Sequence, residues 1–184
     1  PFCFVYVWQV FCLVNSAILW GMTASKAPIP LSGLDASSAE RALRYARDTL
    51  QIEADEILSL KQRIDADSAP FLRAVDLLLH CEGRVVVSGI GKSGHIARKI
   101  ASTLASTGTP ALFVHAAEAS HGDLGMITAK DALIAISYSG EAGELLAIVP
   151  IIKRMGASLI AITGSDTSSL AQLADVHFNV GVQK

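Results

Sequence analysis

Short apolar runs alternate with amphipathic segments along most of the chain. The apolar runs predict five strands, which are Val85–Val87 closed by Ser88, Ala111–His115, Ala132–Ser137, Ser158–Thr163 and Val176–Val180. Strands that are apolar at every position are typical of parallel sheets covered on both faces. Helices are predicted between them, the later two over Glu141–Met155 and Ser168–Ala174. The pattern therefore predicts an α/β protein with a doubly wound, five-stranded parallel sheet.

Two amphipathic helices are predicted before the first strand. The first begins at a capping box, with Ser37 as N-cap and Glu40 at N3. Its apolar stripe comprises Leu43, Ala46, Leu50, Ala54, Ile57 and Ile64. This stripe either packs on its own domain or forms a subunit interface, and the pattern leaves both alternatives open.

The second helix is capped by Asp67 or Ser68, carries Pro70 in its first turn and stops at Gly83. We expect it to bury a stripe formed by Leu72, Val75, Leu78 and Leu79.

The first 21 residues need a separate interpretation. Pro1–Gly21 carries no charge and is about as long as a membrane span. It lacks the basic start and the cleavage site of a signal peptide, and Met22 begins an ordinary polar sequence. We expect residues 1–21 to be non-native or disordered, an artefact of the assigned start rather than a membrane anchor. Residues 22–36 are expected to be a flexible lead-in to a domain over residues 37–184.

Charge and cysteine content limit the possible functions and compartments. The 184 residues have a net charge of −2 and no arginine-rich stripe, so nucleic acid is not an expected partner. Beyond residue 21 only Cys81 is present, which excludes an internal disulfide and favours a reducing, cytoplasmic setting. We interpret Cys81 as a packed thiol at a helix end rather than a nucleophile.

A glycine-rich loop follows the first strand. Gly89, Gly91 and Gly94 leave backbone N–H groups uncovered at the start of a helix, and Lys92 adds a positive charge, so the loop suits an anion. A Walker A loop is unlikely because Val86 stands where that motif needs glycine. A dinucleotide fold is disfavoured because the second strand ends without an acidic residue. A tight turn without a ligand remains an alternative to a phosphate or polar-metabolite site.

Polar residues also follow the other strands, at the edge where ligands collect in such sheets. The ends of the second, third and fourth strands carry His115 with Glu118, His121 and Asp123, then Ser137, Ser139, Glu141 and Glu144, then Thr163 and Ser165. The spacing of His115 and His121 matches no structural zinc pattern. Contacts to a sugar hydroxyl, or proton transfer, suit these histidines better than a metal.

The blocks GIGKSGHIARKIASTLASTGTPALFVHAAEASHGDLGM and AISYSGEAGELL closely resemble the arabinose-5-phosphate isomerases, which are sugar-isomerase (SIS) domain enzymes. The resemblance covers Ser37–Lys184 and implies a flavodoxin-like SIS domain. It also implies interconversion of D-ribulose 5-phosphate and D-arabinose 5-phosphate through a cis-enediol. The product feeds the synthesis of Kdo, a sugar of lipopolysaccharide. The family further implies dimers or tetramers in which neighbouring subunits complete each site.

The resemblance assigns roles to particular residues. Lys92 and Glu144 match catalytic positions, His115 and His121 match substrate contacts, and Gly108 and Thr109 match substrate-contacting backbone. His115 also matches a position where zinc can bind, although no cofactor is required. To these we add Ser88, Ser137 and Ser139, from the local physics, as ligands for phosphate or hydroxyl groups.

The chain departs from the family pattern at its C-terminus. A further catalytic Glu and a catalytic His follow the fifth strand in the family, as do paired CBS domains. None of these lies within the 184 residues. We therefore expect this stretch to bind sugar phosphate weakly and to turn it over poorly or not at all. The alternative function is a non-catalytic SIS module that senses a sugar phosphate, and a nicotinamide-linked oxidoreductase ranks third.

Overall fold

The computed structural model describes residues 35–119 and 122–182. The predictions for residues 1–21 and for most of the lead-in fall outside these ranges. Within them, no helix combines the length and the apolar character that crossing a bilayer requires.

The described residues form six helices, one 3₁₀ turn and five strands. In chain order they are α1 (Ala36–Ala66), α2 (Ala69–Leu79), β1 (Val85–Gly89), α3 (Gly91–Ser106), β2 (Ala111–His115), α4 (Ala116–Ala119), the 3₁₀ turn (Asp123–Met126), β3 (Ala132–Ile136), α5 (Gly143–Arg154), β4 (Ser158–Thr163), α6 (Ser169–Leu173) and β5 (Val176–Asn179). The strands form one parallel sheet in the order β2-β1-β3-β4-β5. This confirms the predicted doubly wound α/β fold.

The chain divides after Lys61 into two compact units, and most contacts between residues lie within one unit. In the first unit the described residues form the greater part of α1, and no residue of that helix is buried. The large apolar side chains of its stripe are exposed, with Leu43 at 55%, Leu50 at 48% and Ile57 at 63%.

The predicted capping box of α1 is wrong by two residues. The helix begins at Ala36, and Asp35 caps it: its Oδ1 accepts the Ser38 N–H at 2.8 Å and the Ser37 hydroxyl at 2.8 Å. These bonds, the Ser38 N–H first, lower the pKa of Asp35. A carboxylate is the stronger acceptor and favours the positive end of the helix, so Asp35 takes the place predicted for Ser37.

The second unit, from Gln62, contains the sheet between two helical layers. Alternate strand residues face opposite sides because side chains point up and down a strand in turn. Val86, Leu133 and Leu159 pack with α4, α5 and α6, whereas Val85, Val87 and Ile134 pack with α2 and α3. Both faces are buried, which explains why the strands are apolar throughout.

The predicted buried stripe of α2 is largely wrong. Leu72, Val75 and Leu79 are exposed at 61%, 37% and 77%, whereas Ala74 is buried and Leu77 and Leu78 pack beneath the sheet. The helix is apolar on more than one side, so the 3.6-residue period alone could not identify the buried face. Gly83 is needed for a different reason, since a Cβ there would lie 2.3 Å from Asp131 Oδ1.

The strand order creates a crevice between β1 and β3. The chain leaves β1 through α3 on one face of the sheet and leaves β3 through α5 on the other. The two connections diverge from neighbouring strands, which is the switch point where open α/β sheets bind ligands.

Candidate functional site

The crevice is formed by two strand ends that lie against each other. Gly89 pairs with Ile136 in register, and a Cβ at Gly89 would lie 3.0 Å from the Ile136 carbonyl oxygen and 3.0 Å from that of Ser93. A Cβ at Gly94 would lie 2.9 Å from the Gly89 oxygen. Side chains at these two glycines would therefore push β1, β3 and α3 apart.

The glycine loop presents the start of α3 to this crevice. Gly91 has φ +56°, a left-handed conformation that favours glycine. The N-cap residue, Ile90, makes no side-chain capping bond, so no side chain covers the first N–H groups of α3 in this way. Lys92 lies in that first turn and is exposed. Backbone donors, the helix dipole and an ammonium group together suit an anion.

Ser88 lies one residue before the end of β1 and is 1% exposed. Its hydroxyl has no hydrogen-bond partner within the described ranges. A buried hydroxyl without a partner is uncommon because its desolvation is uncompensated. Ser88 therefore offers an unused hydrogen bond beside the crevice.

A second candidate anion site follows β3, beside the one at the glycine loop. We call its residues 137–140 the serine turn. The Ser137 side chain accepts the Gly140 N–H at 3.2 Å, and Ser139 Oγ accepts the Glu141 N–H at 3.2 Å. Gly140 has φ +68°, and a Cβ on it would lie 2.2 Å from Ser168 Oγ. Ser137 is buried and Ser139 is exposed, so the turn shows one hydroxyl to solvent and keeps the other within the fold.

The serine turn is held from the side of β4 and α6. Glu141 Oε1 accepts the Ser169 N–H at 2.7 Å, which lowers the pKa of Glu141, and the Gly140 oxygen accepts the Leu170 N–H at 3.0 Å. The Tyr138 oxygen accepts the Gly164 N–H at 2.8 Å. Glu141 is thus a structural residue of the turn.

Behind this contact lies a polar network around Thr163, which is fully buried. Its hydroxyl contacts the Ser165 oxygen at 2.8 Å, Ser168 Oγ at 3.3 Å and His177 Nε2 at 2.9 Å. His177 Nδ1 lies 3.4 Å from Asp166 Oδ1. Burial lowers the pKa of His177, while the Asp166 carboxylate acts in the opposite direction.

His115 ends β2 in register with Gly89 and is half-buried. Its Nδ1 accepts the Ala117 N–H at 3.3 Å, so the neutral ring carries its proton on Nε2. That tautomer offers a donor to a sugar hydroxyl but no lone pair at Nε2 for a metal. Among the described residues, no three His, Cys, Asp or Glu side chains are grouped to hold a metal ion. His121 lies outside the described ranges, so the possible zinc at His115 stays a prediction.

Gly108 and Thr109 lie at the amino-terminal ends of the strands, opposite the crevice. They precede β2, and the oxygen of the next residue, Pro110, accepts the N–H of Val85 at the start of β1. Five strand residues separate this point from the crevice, about 16 Å at 3.3 Å per residue. Their own N–H groups bond to Ala105 and Leu104 at the end of α3. Within one chain, the structure does not bring these two residues to the other predicted site residues.

The other predicted site residues that the structure describes lie at one end of the sheet. Lys92 and Glu144 lie in the first turns of α3 and α5, at the carboxyl edge, with Ser88, His115 and the serine turn at the ends of three adjacent strands. A cavity of about 350 Å³ lies at the opposite, amino edge and includes Cys81, whose Sγ donates to the Lys130 oxygen at 3.4 Å.

Comparison with known proteins places this architecture in a family. The SIS domain family model matches residues 78–183. The chain belongs to the SIS domain family. The match covers β1 to β5 and every predicted site residue in the crevice, so the glycine loop and serine turn are elements of the SIS domain.

Several similar proteins are named arabinose 5-phosphate isomerases. The arabinose 5-phosphate isomerase GutQ of Escherichia coli K12 is 51% identical over 146 residues, and KdsD of Pseudomonas aeruginosa, also named arabinose 5-phosphate isomerase, is 52% identical over 140 residues. These alignments include 79% and 76% of this chain but only 44% and 42% of the relatives. The solved structure of E. coli CFT073 c3406 in complex with arabinose 5-phosphate is 41% identical, with a TM-score of 0.68, and the match covers 82% of this chain and 77% of that one.

Sequence reasoning missed several residues that are hydrogen-bonded to the segments around the crevice. Arg63, Tyr138, Ser168 and His177 reach these segments through backbone oxygens and buried hydroxyls. Only Tyr138 had a local signal, its position between two predicted ligand serines.

Proposed function

We propose that this chain is the sugar-phosphate-binding domain of an aldose–ketose isomerase that interconverts D-ribulose 5-phosphate and D-arabinose 5-phosphate through a cis-enediol. The observation that carries the proposal is the crevice between β1 and β3, where Lys92 and the serine turn leave adjacent strands at one edge. The names of the relatives at 51–52% identity, and the c3406 complex with arabinose 5-phosphate, support this choice of substrate.

In this proposal the serine turn and the starts of α3 and α5 hold the phosphate. Ser139, exposed on the turn, supplies a hydroxyl, and Ser88 supplies its unused hydrogen bond. Backbone donors at helix starts suit a dianion because they add partial positive charge without a counter-ion. His115, through its Nε2–H, donates to a sugar hydroxyl.

The sugar is then oriented with its carbonyl end toward Lys92. The ammonium group stabilises the negative charge that develops on the oxygen as the enediol forms, an effect typically worth about 10²–10³ in rate. Glu144 carries the proton between the adjacent carbons, a step for which a positioned acid or base contributes about 10²–10⁴. We assign no cofactor to this chemistry.

We further propose that the protein acts as a homo-oligomer, a dimer or tetramer, in the cytoplasm, and that its product feeds Kdo and lipopolysaccharide synthesis. If Gly108 and Thr109 contact substrate, they do so in the crevice of a neighbouring copy, because their own crevice is at the far edge of the sheet.

The exposed stripe of α1 suits self-pairing. Leu43, Leu50, Ile57 and Ile64 recur every seven residues, the spacing of a coiled-coil seam. Residues 36–50 contain three basic and two acidic side chains, whereas residues 51–66 contain four acidic and two basic ones. An antiparallel pair of α1 helices would therefore place opposite charges side by side.

Calorimetric titration with arabinose 5-phosphate tests the binding part of the proposal. We expect the wild-type chain to bind and Ser139→Ala to bind several-fold more weakly. Thr128→Ala, which removes a hydroxyl that donates to Asp131 at the amino edge, should bind like the wild type. No heat of binding with arabinose 5-phosphate would contradict the proposed site. Proton exchange at the bound sugar above the protein-free rate would favour the isomerase over the non-catalytic sensor, which binds without exchange.

A further inference from the structure

The backbone that follows β5 runs along the carboxyl edge of the sheet. Val180 N–H donates to the Thr163 oxygen at 2.8 Å, Gly181 N–H to Asn179 Oδ1 at 2.8 Å, and Val182 N–H to the Tyr138 hydroxyl at 3.4 Å. We call residues 179–182 the rim segment. The N–H groups of Val180 and Val182 thus connect the rim segment to β4 and the serine turn.

The carbonyl groups of the rim segment are bonded to a residue more than a hundred positions earlier. Arg63 Nη1 donates to the Asn179 oxygen at 3.0 Å, and Nη2 donates to the Gly181 oxygen at 2.8 Å. The two oxygens belong to alternate residues, which point the same way in an extended chain. A planar guanidinium spans both, whereas the single ammonium of lysine does not.

The rim segment touches the serine turn through two glycines. A Cβ on Gly181 would lie 2.6 Å from the Gly164 oxygen, and a Cβ on Gly164 would lie 2.9 Å from the Tyr138 ring. Gly164 N–H also donates to the Tyr138 oxygen at 2.8 Å. The Tyr138 oxygen is thus bonded to Gly164, which the rim segment contacts, and the Tyr138 hydroxyl is bonded to Val182 of the rim segment itself. Because Tyr138 lies between Ser137 and Ser139, these contacts connect the rim segment to the serine turn.

We propose that Arg63 is a positioning residue of the sugar-phosphate site. Its two hydrogen bonds fix the rim segment, so that Gly181 stays in contact with Gly164 and Val182 stays bonded to Tyr138. These contacts in turn fix the hydroxyls of the serine turn in position to bind the phosphate. The link to substrate rests on the function proposed above; the link from Arg63 to the serine turn does not.

The first part of the test needs no substrate. Backbone amide NMR shifts and hydrogen exchange are compared in the wild type, Arg63→Gln and Arg73→Gln, the last being an exposed arginine on α2. We expect Arg63→Gln to accelerate exchange at Val180–Val182 and to shift the amides of Ser139 and Gly140, and Arg73→Gln to do neither. Shifts confined to residues 179–182 would overturn the proposal.

The second part measures KM and kcat for arabinose 5-phosphate. We expect Arg63→Gln to raise KM about ten-fold with kcat within about two-fold, Arg63→Lys to raise KM by less, and Gly181→Ala to act like Arg63→Gln from the other end of the contact. An unchanged KM in an active protein would overturn the positioning role. If the wild type neither binds nor turns over the sugar, the proposed function fails, and the NMR comparison alone decides whether Arg63 holds the serine turn.

Discussion

At several positions around the crevice, the neighbouring atoms determine which residue type can be accommodated. Gly89 and Gly94 lie where any side chain would meet backbone at about 3 Å, and Gly140 combines a left-handed φ with contact to buried Ser168. Ser88 is a buried hydroxyl beside a ligand crevice with no partner in the described residues. A fold optimised only for packing would have an apolar residue there, so its presence favours a ligand.

His177 makes the network behind the serine turn sensitive to pH. Because burial lowers its pKa in the folded state, the unfolded chain binds more protons below the usual histidine pKa of about 6.5. Stability contributed by neutral His177 is therefore fully present above that pH and is lost as pH falls through the folded pKa.

We expect the free energy of unfolding to be lower at pH 5.5 than at pH 7.5, and this difference to shrink in His177→Gln. Asp166→Asn should enlarge it, because removing the carboxylate lets the pKa of His177 fall further. Urea unfolding at both pH values measures the effect. A pH dependence unchanged by His177→Gln would contradict the assignment.

At the scale of elements, the apolar runs predicted the strands to within two residues at each end. Buried parallel strands are apolar on both faces, and that signal needs no knowledge of partners. The buried face of α2 could not be predicted, because Leu72, Val75 and Leu79 look as suitable as Ala74 and Leu77 until the sheet is present. The capping choice between Asp35 and Ser37 is decided by where α1 begins, which the sequence states only to within a turn.

The candidate site could be predicted where residues follow strand ends. Parallel strands end at one edge, so Lys92, Ser137 and His115 were expected together, and the structure places them at the same edge. Gly108 and Thr109 came from family resemblance alone, which does not say whether a residue serves its own chain or a neighbour. Arg63 could not be predicted, because its acceptors are backbone oxygens that lie together only in the fold.

The serine turn and α6 support each other, and Gly140 is the contact between them. We expect Gly140→Ala to lower the free energy of unfolding by about 2–4 kcal/mol, because the new methyl group meets Ser168 and the left-handed backbone strains alanine. Gly143→Ala is the matched control, since nothing lies within 4 Å of a Cβ there. Equal free energies of unfolding for the two variants in urea would contradict this prediction, because they would show that the serine turn accommodates the new methyl group without strain.

At the scale of the whole molecule, the exposed stripe of α1 predicts self-association. Ile57→Glu places a charge on the seven-residue seam, whereas Ile52→Glu makes the same change at a residue of equal exposure (62% against 63%) on another side of the helix. In sedimentation velocity, we expect Ile57→Glu to shift the protein toward monomer and Ile52→Glu to leave the oligomer intact. Loss of association in both variants, or in neither, would contradict pairing through this seam.

The central claim is that Lys92 faces the carbonyl end of a pentose phosphate that undergoes proton transfer. Deuterium entry from D₂O at C2 of arabinose 5-phosphate, followed by NMR, tests it directly. We expect entry above the protein-free rate with the wild-type chain and Lys130→Met, the latter changed at the amino edge, and entry at least about 100-fold slower with Lys92→Met. Entry at the wild-type rate in Lys92→Met would contradict the account.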